Sequence, residues 1–98
     1  MDNKAAVAAL EALAQSTRFA AVKLLAEHEP EGLAAGEIAE RLGVPRNTMS
    51  THLSVLSHNG VVSSERRSRT IIYRASTPYL SDLISFLHAL IHPIDGAN

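Results

Sequence analysis

Cysteine is absent from these 98 residues, which excludes disulfides, thiolate metal sites and any switch based on thiol oxidation. Long apolar runs are missing as well. None approaches the roughly 18 residues needed to span a bilayer, and the N-terminus has no basic segment leading into an apolar core and cleavage site. A soluble, cytoplasmic chain is expected. The residue sets of common enzymes are also lacking, with no cysteine nucleophile, phosphate-cradling glycine loop or HExxH helix. Ser50 and His52 lie too close along one helix to face each other as nucleophile and base, so no catalysis is expected.

Net charge is scarce too, at −1, but it is unevenly spread. Residues 1–45 hold four basic and seven acidic side chains, residues 46–74 hold five arginines and one glutamate, and residues 75–98 hold two aspartates. The central stretch can therefore neutralise phosphates while the acidic remainder limits indiscriminate binding. A chain of this length with 46% hydrophobic residues makes one domain, 1–98, whose small core gains from oligomerisation.

Within the central stretch the parts of a winged helix-turn-helix follow one another. Ile38, Ala39 and Leu42 give one apolar helical stripe, and Gly43 suits the helix exit because it accepts a positive φ. Gly43-Val44-Pro45 is the turn. Pro45 lacks an N–H and has φ fixed near its helical value, so a second helix starts there. In it Met49, Leu53 and Leu56 form the packed stripe, and Asn47, Ser50, Thr51, Ser54 and His58 project from the other side.

From Thr48 to Asn59 there is no Asp, Glu, Lys or Arg. An ordinary solvated face would carry such charges, whereas short hydrogen-bonding side chains suit close approach to base edges. Asn bonds adenine bidentately, and Thr offers a hydroxyl and a methyl. After Asn59-Gly60, Val61 to Arg66 and Arg69 to Arg74 read as two strands, with Val62, Ile71 and Tyr73 covering the core. Their tip, Arg66-Arg67-Ser68-Arg69, suits phosphates or a minor groove. Double-stranded DNA is the expected partner.

Residues 4–15 favour helix and are apolar on more than one face. Ser16 is the expected N-cap of a second helix with Phe19, Val22, Leu25 and Ala26 inward, ended by the loop Glu29-Pro30-Glu31-Gly32. Thr77 is the expected N-cap of a last helix over about 78–92, whose Leu80, Leu83, Ile84, Leu87, Leu90 and Ile91 cover a wide arc. Ile94 to Asn98 reads as a frayed tail. The two terminal helices, 4–15 and 78–92, are the expected dimer interface. A two-fold dimer would set its reading helices about 34 Å apart on a near-palindrome. The fold class is thus mainly α, with five helices and a two-stranded wing.

The chain resembles the ArsR-type (arsenic repressor-like) family of small dimeric winged-helix regulators. The residues that carry the resemblance are Leu13-Ala14, Ser16-Thr17-Arg18-Phe19, Leu24-Leu25, Gly36-Glu37-Ile38-Ala39, Leu42-Gly43-Val44, Thr48-Met49-Ser50-Thr51-His52-Leu53, Val55-Leu56, Gly60-Val61-Val62 and Tyr73-Arg74. The resemblance implies a homodimeric repressor of its own operon that leaves its operator when an effector binds. It assigns DNA contacts to Arg46, Asn47, Thr48, Ser50, Thr51, His52 and Ser54, with Arg66, Arg67 and Arg69 on the adjacent groove. His52 lies near the edge of the packed stripe, where a structural bond fits as well as a DNA contact.

The chain departs from the family at the effector sites. Where soft-metal sensors carry a Cys-x-Cys pair it has Ala34 and Gly36, and where zinc sensors carry Asp-x-His it has Asp82 and Ile84. His88 and His92, four residues apart, can share one ion but need further ligands such as Asp82 or Asp95 of a partner subunit. A His pair at a helix C-terminus is more often a dipole complement, so no metal and no cofactor are expected, and the effector has no signature. A second function class fits the same fold: a winged-helix protein-interaction module without DNA binding. The arginine tip and the uncharged polar helix argue against it.

Overall fold

A left-handed residue ends one helix and a proline opens the next at the centre of the molecule. In the computed structural model, which describes residues 1–93, α3 (Ala35–Leu42) stops at Gly43 with φ 66°, and α4 (Arg46–His58) starts after Pro45. Asp95 and the rest of the tail from Ile94 lie outside the described residues. Ile38 and Ala39 of α3 and Met49, Leu53 and Leu56 of α4 are buried together, as their spacing requires. Each large side chain so buried contributes about 1.5–3 kcal/mol of hydrophobic stabilisation.

The helices α1 (Asn3–Leu13) and α2 (Ser16–Ala26) cover this pair from one side. The inner face of α1 is made of alanines, Ala6, Ala9 and Ala12, so its backbone approaches closely while Val7 and Leu10 are left outside. On α2 the buried residues are Ala21, Val22 and Leu25. Phe19 and Ala26, expected inward, face out, with Phe19 58% exposed. The inward stripe of α2 is rotated by about one position, and Arg18 takes its first place.

Caps account for other differences from the sequence reading. Gln15, not Ser16, caps α2, because its longer amide places Oε1 2.8 Å from the Arg18 N–H that it accepts. α1 ends at Leu13 rather than residue 15, and the Arg18 guanidinium donates to the Ala12 and Glu11 carbonyls of its last turn. Helix α5 (Thr77–Ile91) begins after Ser76, which makes no side-chain cap bond, with Pro78 in the first turn.

The sheet has three strands rather than two. β2 (Val62–Arg67) and β3 (Thr70–Ala75) form the wing, and β1 (Leu33–Ala34) adds to the far edge of β3, pairing Leu33 with Tyr73 and Ala34 with Ile72. The base of the wing is buried at Val62 and Ala75, while its tip is exposed. Ile71, expected to cover the core, is instead exposed on the wing.

Helix α5 buries Leu83 and leaves most of its apolar surface bare, with Ile84 67%, Leu90 65% and Ile91 74% exposed. The molecule as a whole is elongated, 52 Å by 23 by 20 Å. Between α1 and α5 runs an apolar groove of about 290 Å³ lined by Ala6, Val7, Leu10, Phe86, Leu87 and Leu90.

Candidate nucleic-acid interface

The packed stripe of α4 fixes which side chains look outward. With Met49, Leu53 and Leu56 buried, 100° per residue sends Asn47, Thr48, Ser50, Thr51 and Ser54 away from the core, and these five are exposed, as is Arg46 in the first turn. Two of them are set by local bonds. The Asn47 side-chain oxygen accepts from the Thr48 N–H at 2.9 Å, holding that amide against the helix start. The Thr51 hydroxyl donates to the Asn47 carbonyl at 3.1 Å, which leaves its lone pairs and methyl pointing outward.

Arg46 lies over the start of α3. A Cβ added to Gly36 would come within 2.9 Å of the Arg46 guanidinium carbon, so this close approach depends on a residue without a side chain. Gly36, Arg46 and Ser50 form one wall of a groove of about 460 Å³ whose other wall is Arg69, Thr70, Ile71 and Tyr73 of the wing. The reading helix and the wing thus flank one continuous channel. It is lined by Arg46 from one side and Arg69 from the other, with the Glu37 carboxylate on the α3 side.

The wing arginines are not equivalent. Register places Arg66 opposite Ile71, on the strand face that looks into the groove, while Glu65 and Arg67 share the other face. There Glu65 pairs with Arg74 at 2.7 Å and with Arg67 at 3.8 Å. The Arg74 hydrogen bond, and then the charge of Arg67, hold the Glu65 carboxyl below its ordinary value of 4.5. Arg74 also donates to the Pro30 carbonyl at 2.7 Å, which ties the wing to the loop before β1. Among the described residues Arg46, Arg66 and Arg69 form no ion pair.

His52 stands apart from the other candidates. It is half-buried and turned towards α2, where its Nδ1 lies 3.3 Å from an Arg18 nitrogen. The sequence reading left Arg18 unassigned. The one available signal was a charged residue four and seven positions before the buried Val22 and Leu25. Glu65 was missed as well, because it matters only through cross-strand register.

His88 and His92 do project the same way, with stacked rings 4.5 Å apart. Among the described residues no cluster of three or more His, Cys, Asp or Glu is placed to hold a metal, and no helix is long and apolar enough to cross a membrane.

This architecture has known counterparts. A family model described as a helix-turn-helix domain matches residues 13–65, more than half the chain. The chain is 31% identical over 85 residues to the transcriptional activator HlyU of Vibrio cholerae, covering 87% of this chain and 76% of that protein. It is 35% identical over 88 residues to the HTH-type transcriptional repressor SmtB of Mycobacterium tuberculosis, covering 90% of this chain but 62% of that one. Among solved structures, an ArsR-like transcriptional regulator from Rhodococcus superposes with a TM-score of 0.76 at 28% identity, over 89% of this chain and 79% of the other. The chain belongs to the ArsR-type family of winged helix-turn-helix transcriptional regulators. In this regulator α4 is the second helix of the helix-turn-helix and β2–β3 the wing, and its relatives are regulators of transcription rather than enzymes.

Proposed function

We propose that this ArsR-type regulator works in the cytoplasm as a homodimeric repressor that occupies a near-palindromic operator and leaves it when an effector binds. The observation that carries the reading is the charge-free polar face of α4, fully exposed and flanked by arginines on both sides. Asn47, Thr48, Ser50, Thr51 and Ser54 would meet base edges in the major groove. Arg46, Arg66, Arg67 and Arg69 would meet phosphates or the adjacent minor groove, fixing register. The exposed apolar faces of α1 and α5 would pair across a two-fold axis, since so much bare Leu and Ile is costly for a free monomer. Repression is supported by the relative named a repressor, whereas HlyU is named an activator.

The test is binding to a fragment of the protein's own upstream region against a scrambled fragment, at several salt concentrations, with Thr51→Ala beside the parent. Selective binding that weakens with salt, and that loses discrimination in the variant, supports operator reading through α4. Failure of a selection from random DNA to enrich any sequence would instead favour a protein-interaction module.

A further inference from the structure

Arg18 joins three elements with one guanidinium. Its Nε donates to the Ala12 carbonyl at 2.6 Å and a terminal nitrogen to the Glu11 carbonyl at 3.4 Å, both in the last turn of α1. The Glu11 carbonyl also accepts from the Ala14 N–H at 3.2 Å, and a cation beside this last turn also meets the negative end of the helix dipole. The other terminal nitrogen meets Nδ1 of His52 at 3.3 Å. Among the described residues this is the one side-chain hydrogen bond between α4 and another helix. It therefore connects the reading helix to α1, which carries half of the apolar groove.

A guanidinium only donates, so His52 must accept through Nδ1 and keep its proton on Nε2. A protonated ring has no acceptor and would place a second cation against Arg18. No compensating acid is at hand on α4, which has no Asp, Glu, Lys or Arg from Thr48 to Asn59. From α2 the ring meets Arg18 itself, and at the end of α1 Glu11 offers Arg18 its backbone oxygen.

We propose that Arg18 and His52 are positioning residues that latch α4 at its DNA-reading angle against α1, and that protonation of His52 opens the latch. The proposal rests on the reading of α4 as the DNA-contacting helix. It assigns His52 to the latch rather than to a base edge. When the latch opens, the fraction of molecules with α4 correctly angled falls and apparent affinity falls with it.

The experiment compares parent, His52→Asn and Arg18→Lys as full chains on the operator between about pH 8 and pH 5, the range in which imidazoles titrate. Asn places an accepting oxygen near the position of Nδ1 and does not titrate. His52→Asn should match the parent at the alkaline end, and on acidification the parent should lose roughly threefold or more in affinity relative to it. Arg18→Lys, with its dimer mass and helical content unchanged, should bind roughly three- to tenfold more weakly at the alkaline end. Identical pH profiles for parent and His52→Asn overturn the proposal, as does loss of sequence selectivity in His52→Asn at the alkaline end, which would make His52 a base contact. A readout without DNA separates the latch from the functional reading. In the free protein, amide signals of the last turn of α1 and of α4 should shift together on acidification in the parent but not in His52→Asn. If they do so in a protein for which no DNA sequence is ever found to bind, the DNA reading fails and the latch stands; if they do not, the latch fails.

Discussion

The Glu65 carboxylate lies 2.7 Å from a terminal nitrogen of Arg74, across the wing from the groove. With Arg67 at 3.8 Å on the same face, one acid offsets part of the charge of two arginines and leaves Arg66 and Arg69 as the unmatched cations of the tip. If the wing contacts phosphate, Arg66→Ala and Arg69→Ala should each lower the slope of log affinity against log salt by about 1. Arg67→Ala should lower it by less. Equal slopes for all three variants would mean that Glu65 does not discriminate among them. Glu65→Gln should strengthen binding and steepen the slope.

The same pair has a signature in acid. Arg74 and Arg67 hold the Glu65 carboxyl below its ordinary 4.5 in the folded protein. A folded value below the unfolded one means that the pair stabilises the wing above that ordinary value, and that this contribution is lost as pH falls through the folded value. Carboxyl titration followed by NMR should place Glu65 below its ordinary value in the parent. Arg74→Ala should return it towards the ordinary value, and an unchanged midpoint would show that the hydrogen bond is not its cause.

Two glycines after helices differ in what a methyl group would meet. Gly43 has φ 66° with nothing within 4 Å of an added Cβ, whereas Gly60 has φ 80° and would place a Cβ 3.0 Å from the Tyr79 ring. Gly43→Ala should then cost only the left-handed backbone penalty, about 1–2 kcal/mol. Gly60→Ala should cost more, because the penalty is joined by displacement of Tyr79 and hence of the start of α5. Thermal denaturation of both variants checks the order, and equal losses would show that Tyr79 yields freely.

Much of this molecule was legible in its sequence where signals were local. Gly43 and Pro45 bracket the turn, and Met49, Leu53 and Leu56 phase α4, so its exposed polar face followed from the helical repeat. Misreadings came where the decisive partner is far along the chain. β1 has only two residues and exists through pairing with Tyr73 and Ile72. Phe19 drew the stripe of α2 off by about one position because alanine is a weak apolar signal; Val22 and Leu25 are buried as expected, and Ala21 packs inside with them. His52 projects near an edge in any helical wheel, and only the fold brings Arg18 to it.

Leu90 and Leu10 face the same apolar groove from α5 and α1, and with Ile84 they leave a surface that one protomer alone does not cover. Leu90 is 65% exposed, so Leu90→Glu removes little from the monomer core and should leave helical content and the α3–α4 packing intact. In a dimer it would bury two uncompensated carboxylates beside apolar neighbours, a cost large enough to dissociate the pair. Sedimentation should therefore show a dimer for the parent and a monomer for the variant. Operator affinity should fall by about 100-fold or more, because the second half-site then binds without the gain in effective concentration that linkage provides. A variant that remains dimeric would place the interface elsewhere on the chain. A monomeric variant with undiminished affinity would mean that one α4 and one wing suffice for the operator.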